Sequence, residues 1–143
     1  MDTIALRFGE TFSPKEGTIQ AHQSLIDEYG FVWYGKLGSA LSDKVAKEIL
    51  DNEYPKILLI HSGTNKRYWA FIDDISRDQP DLAFVPEYYH YLADKVKAWI
   101  RITRFEKAAS DVLAKCFVRS SGVQLSFVSQ HSLSPYFIIT YKE

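Results

Sequence analysis

The residues best placed to do chemistry in this chain are aromatic, and they come in clusters. Phe31-Val-Trp33-Tyr34, Tyr68-Trp69-Ala-Phe71 and Tyr88-Tyr89-His90-Tyr91 are each flanked by polar residues, with Trp99 beyond them. The chain carries 9 Phe, 9 Tyr and 3 Trp, more than the core of 143 residues requires. Rings of this kind stack on flat groups such as nucleobases; one stacked base is worth roughly 1–3 kcal/mol. Basic residues accompany them. Lys95, Lys97, Arg101, Arg104 and Lys107 stand against Glu106 alone, while Asp73, Asp74, Asp78, Asp81 and Glu87 stand against Arg77 alone. In an extended strand, Lys97, Trp99 and Arg101 share a face, an indole between two cations, as in a groove that tracks a nucleic-acid backbone.

Other chemistries find less support. Gly35-x-x-Gly38 and Ser62-Gly63-Thr64 lack the glycine spacing and the terminal Lys-Ser/Thr of a phosphate loop. His22, His61, His90 and His131 fall on separate elements without metal-ligand spacing, and the acidic pairs Asp73-Asp74 and Asp78/Asp81 read as a solvated loop. Neither Ser62-Gly nor Ser121-Gly sits in a nucleophile elbow. No catalytic residue, metal or cofactor is therefore assigned, although dispersed residues such as His61, Asp74 and Glu87 would serve an enzyme acting on a small nucleotide. A single Cys116 excludes an internal disulfide and reads as a strand thiol. The formal net charge of -1 means that any nucleic-acid contact must come from a local patch. Neither a secretory signal nor an apolar run of membrane-spanning length is present, so a cytoplasmic setting without membrane contact is expected.

The elements that must position these residues follow from spacing. Thr3–Phe8 reads as a strand. Ile19, His22, Leu25, Ile26 and Tyr29 recur at helical intervals, with Thr18 as the N-cap and Gly30 as the stop. Phe31–Tyr34 reads as a strand closed by a Gly35–Gly38 turn, and Ser42 caps a helix running to Leu50. Lys56–His61 and Arg67–Ile75 form a hairpin around a Ser62–Lys66 turn. The Tyr88 cluster falls on a turn or short helix, and Lys97–Phe105, Ala114–Val118 and Tyr136–Tyr141 are strands. Val123–His131 suits helix and strand equally. Strands linked mostly by turns predict an α+β fold, a curled mixed sheet with peripheral helices, in a single domain over residues 1–143.

Tyr29-Gly-Phe-Val-Trp33-Tyr34-Gly35-Lys36, Ile57-Leu-Leu-Ile60, Tyr68-Trp-Ala-Phe-Ile72, Pro86-Glu-Tyr-Tyr89 and Trp99-Ile-Arg-Ile-Thr103 together resemble the EVE domains of the PUA-like superfamily. The likeness is strongest to versions associated with modification-dependent restriction systems. It implies a β-barrel-like sheet and non-catalytic binding of DNA or RNA, with a modified or flipped base held in an aromatic pocket. Carried onto this sequence, it makes Trp33, Tyr34, His61, Ser62, Trp69, Tyr88 and Tyr89 base-binding residues, to which the basic strand adds Trp99. Lys97, Arg101 and Arg104 would lie along the backbone. A separate nuclease or motor subunit would supply the effector. The alternative is a protein-interaction or assembly accessory module, since Tyr, Trp and Arg also dominate protein interfaces.

Overall fold

Seven strands pair into one mixed sheet in the order β2-β5-β4-β3-β1-β7-β6. In chain order these are β1 (Asp2–Phe8), β2 (Val32–Lys36), β3 (Lys56–His61), β4 (Arg67–Ser76), β5 (Ala98–Lys107), β6 (Cys116–Val118) and β7 (Tyr136–Tyr141). Helices α1 (Thr18–Tyr29), α2 (Asp43–Leu50) and α3 (Leu125–His131) connect them, along with 3₁₀ segments at Leu82–Phe84, Glu87–Lys95 and Val112–Lys115. The computed structural model describes residues 1–10, 13–61 and 65–143. Only β1 and β3 run parallel; every other neighbour pair is antiparallel.

This pairing corrects the expectation of a curled, barrel-like sheet. The ladder is open: it ends on β2 at one side and β6 at the other, and no pairing joins those two strands among the described residues. Closure requires every strand to be paired on both sides. Here β6 is only three residues long, and β2 pairs with β5 alone. The α+β class and the flanking helices are as expected.

Apolar side chains cover both faces. On one, α1 and α2 bring Ile19, Leu25, Val45 and Ile49 onto Ile4, Leu6, Val32, Ile57 and Ile100. On the other, α3 and the Val112–Lys115 segment cover Ala5, Leu58, Trp69 and Ile139. Toward β2 and β5, Val85, Ala93 and Val96 from the 3₁₀ region close over Trp99. Ambiguous at the level of periodicity, Val123–His131 resolves into α3 because Leu125 and Val128 both turn toward this second core. No helix among the described residues is long and apolar enough to cross a membrane.

Two local details bear on the site. Thr18 is not the N-cap of α1: Gly17 takes that position at φ +93°, and Thr18 is the first helical residue. In place of a capping hydroxyl, the Glu10 carboxylate accepts the Thr18 backbone N–H at 3.0 Å. At the other end, Gly30 stops the helix in the left-handed conformation, its N–H donating to the Ile26 carbonyl. The second detail is that β2 does not end at Tyr34. It continues through Gly35 and Lys36, which pair with Trp99 and Ala98. A Cβ at Gly35 would lie 2.9 Å from Val96 Cγ2 and 3.2 Å from Trp99 Cζ3, so the glycine leaves room for Val96 and the indole rather than turning the chain.

Candidate binding cavity

Strand alternation places Tyr34 and Lys36 on one side of β2, and Leu6 and Phe8 on one side of β1. Between them lies a cavity of about 240 Å³, whose remaining wall is Tyr88 and Tyr89, with Thr18 at the start of α1 and Pro135 before β7. This is below the ~300–1,000 Å³ of pockets that take drug-sized ligands. It suits a single flat ring.

The 3₁₀ segment that carries the two tyrosines is held from below. Tyr89 donates its backbone N–H to the Pro86 carbonyl at 2.9 Å, and the His90 ring donates through Nε2 to the Val85 carbonyl at 2.9 Å. Trp33, Leu37 and Tyr89 are half-buried against the Val85–Trp99 cluster, so Trp33 buttresses the segment from behind. The Tyr88 and Tyr89 rings meet edge to face, with centroids 5.1 Å apart.

Burial keeps the phenols neutral. It pushes Tyr34 far above the usual tyrosine range, assisted by Tyr89 and Tyr88, and Tyr88 up to about 12 despite the opposing Thr18 hydroxyl. Tyr89 is raised by burial and by Tyr91. All three therefore present O–H groups. The Tyr88 hydroxyl is buried without a well-formed hydrogen bond, an open polar valence in the wall.

Behind Tyr34, at a ring distance of 5.2 Å, lies the fully buried His22. Its Nδ1 is 2.8 Å from the Thr18 carbonyl oxygen, which only accepts, so Nδ1 carries the proton. Nε2 is left as a lone pair without a partner. Burial lowers this imidazole to about 4, against the Thr18 hydrogen bond, which favours the charged form. It is neutral at pH 7.

Lys36 is the cation of the wall. The residue is only 4% exposed. Its ammonium donates to the Ser39 carbonyl and lies 4.4 Å above the Tyr136 ring. Arg7 also lines the cavity; its Nε donates to the Ser134 carbonyl and its Nη2 to the carbonyls of Ser129 and Ser132. At the rim, Glu10 accepts from the Ser13 hydroxyl at 2.6 Å and faces His61 Nε2 at 3.5 Å. Burial acts to raise the Glu10 carboxyl, but Ser13, Thr18 and His61 outweigh it and hold the group below its ordinary value.

The structure divides the base-binding set drawn from the sequence. Tyr34, Tyr88 and Tyr89 line the cavity together. His61 sits beside it, edge-on to Phe8 at 5.1 Å, and Ser62 lies outside the described residues. Trp69 and Trp99 are core residues, 4% and 1% exposed, in separate clusters. Trp69 packs on Tyr141 at 4.9 Å beneath the Lys56 ammonium. Trp99 is thus no platform between cations: it points to the same side as Arg101, but Val85, Ala93 and Val96 cover it.

The basic run is also partly neutralised, by the acidic stretch that antiparallel pairing of β4 and β5 sets beside it and by its own Glu106. Arg101 meets Asp73 at 2.5 Å and lies 3.9 Å over Phe31; Arg104 reaches Glu106 at 3.5 Å and lies 4.0 Å over Phe71. Lys97 is exposed just before β5. Glu87, His61 and Asp74 do not line the cavity. Among the described residues, no group of three or more His, Cys, Asp or Glu is placed to hold a metal ion. Cys116 is buried and free, its thiol pushed up to about 12 by burial.

Sequence reading missed Arg7, Thr18 and Lys36 as wall residues. For Lys36 the signal was present: its two-residue spacing from Tyr34 puts it in the cavity once β2 runs through Gly35.

An open mixed sheet, helices on both sides and a small tyrosine-walled cavity together define an α+β fold. The family model described as PUA-like matches residues 4–136, and the chain belongs to that family. No curated protein and no solved structure matches it.

Proposed function

We propose that this chain is a non-catalytic nucleic-acid-binding module that holds a flipped base, modified or not, in the cavity between Tyr34, Tyr88 and Tyr89. One observation carries the reading: three neutral phenols from two separate elements converge on a ring-sized space with an unused O–H in its wall. Membership of the PUA-like family, whose domains generally bind nucleic acids, supports it. Flipping a base forfeits stacking at a cost of a few kcal/mol, and aromatic walls restore it. Within the superfamily, the order of sequence motifs favours an EVE-like domain of the modification-dependent restriction type, acting in the cytoplasm on DNA or RNA. A separate nuclease or motor subunit then converts recognition into an outcome.

Fluorescence titration with single-stranded oligonucleotides, with and without modified bases, tests this at low salt. Tyr88→Ala and Tyr89→Ala are expected to weaken binding about ten- to a hundredfold, in keeping with the loss of one stacking partner. Indifference of the native chain to every oligonucleotide would sink the proposal.

A further inference from the structure

The base-binding reading leaves open which edge of which base the cavity prefers, and Lys36 bears on that choice. A buried ammonium is costly unless it is paired with a carboxylate or saturated with hydrogen bonds. Lys36 is 4% exposed, yet among the described residues no carboxylate is within ion-pair distance of it. Its known partners are one backbone carbonyl, from Ser39, and the face of the Tyr136 ring. Burial pushes its titration down from its ordinary value. An ammonium has three N–H donors and no acceptor. It therefore has donor capacity to spare, inside the wall of a cavity whose Tyr88 O–H makes no well-formed hydrogen bond.

Resting on the base-binding proposal above, we infer that Lys36 selects a base carrying a keto group over one carrying an amino group at the same ring position, as uracil does against cytosine, by donating to that ring carbonyl. The sign of the charge favours keto over amino: an exocyclic amine is itself a donor and would face the ammonium with its hydrogens. A strand phosphate is a poor occupant, because the backbone of a bound strand runs outside the protein while this ammonium is buried in the wall.

The experiment compares matched single strands that differ at one central base: uracil, cytosine and 4-thiouracil, titrated by fluorescence at low salt. The uracil strand is expected to bind about tenfold tighter than the cytosine strand, the discrimination a hydrogen bond to a charged group supplies. The 4-thiouracil strand, with a weaker acceptor at the same position, is expected to fall several-fold below uracil. Lys36→Met, checked for folding by its thermal melt, is expected to remove the gap between uracil and cytosine. Equal binding of all three strands by the native chain, or preference for cytosine, overturns Lys36 as the reader and leaves the base-binding module standing. Absence of binding to any strand overturns the module as well. The 4-thiouracil comparison needs no variant, so an unfolded Lys36→Met does not leave the inference untested.

Discussion

At the β2–β5 edge of the sheet, aromatic residues of two kinds serve opposite ends. On one face, Trp99 is enclosed by Val85, Ala93 and Val96 and admitted by the missing side chain of Gly35. On the other, Tyr34 covers His22 and faces a cavity shared with Tyr88. Tyr89 joins the two, packing on the Trp99 cluster while lining the cavity. An indole offers the largest apolar area of any side chain, and its value is realised by complete burial. A phenol has an apolar body and a polar tip, so it works at a boundary, one part against the core and the other turned to a ligand. The tryptophan therefore supports the segment that the tyrosines display.

That division makes its strongest claim at Trp99. Trp99→Ala is expected to cost about 3–5 kcal/mol of folding free energy, the range for removing a large buried aromatic residue. Tyr89→Ala should cost less, since one side of that ring already faces the cavity. Urea unfolding of the two variants measures the difference. A Trp99→Ala variant losing under about 1 kcal/mol would mean that the indole is not the support described here.

The next largest effect is expected from acid, and it reports on the buried layer behind the cavity. His22 is lowered to about 4 in the folded chain, against 6.5 when unfolded, and it is fully buried. Between those values the unfolded chain binds a proton that the native chain refuses. Stability is therefore complete above about pH 6.5 and falls as the pH drops toward 4, by roughly 3 kcal/mol. Glu10, held below its ordinary value, contributes a further loss in the same direction only at more acid pH, as its carboxylate is protonated. Urea midpoints from pH 7 to 4 measure the slope. His22→Gln should flatten it; an unchanged slope would locate the acid sensitivity elsewhere.

How much of this was legible in the sequence depended on whether a property is local. Helix α2 and its Ser42 cap follow from a short stretch of chain: the side chain accepts the Val45 N–H at 3.2 Å, as its position predicts. Gly30 likewise stops α1 where the helical period ends. Thr18 misled because its N–H is satisfied by Glu10, eight residues earlier, a contact no local pattern contains. The open edge of the sheet was not readable either, since strand order is a matter of long-range pairing. At the site, the type of residue was legible and the partition was not. Trp69, Trp99 and the three tyrosines all read as flat walls, and only their place in the fold separates those that pack from those that line: Tyr34 is 6% exposed, close to Trp69 at 4%, yet borders the cavity. Lys36 was lost to a turn because Gly35 looks like a breaker, whereas its missing Cβ serves the neighbouring strand.

The smallest expected effect is also the most selective test of the contrast between support and display. Tyr88→Phe keeps the ring and removes only the hydroxyl, a buried O–H with no well-formed hydrogen bond. Deleting one half of an existing buried hydrogen bond leaves its partner unsatisfied and costs about 1–3 kcal/mol, whereas deleting a group that has no partner relieves a desolvation penalty. The folded state should therefore be unchanged or up to about 1 kcal/mol more stable, while oligonucleotide binding weakens less than in Tyr88→Ala because stacking survives. Thermal melts and titrations of the two variants separate these quantities. A Tyr88→Phe chain destabilised by more than 1 kcal/mol, a bound set by the worth of one such bond, would show that the hydroxyl already serves the fold. Tyr88 would then belong with Trp99 among the supports, and the wall facing the ligand would be reduced to Tyr34 and Tyr89.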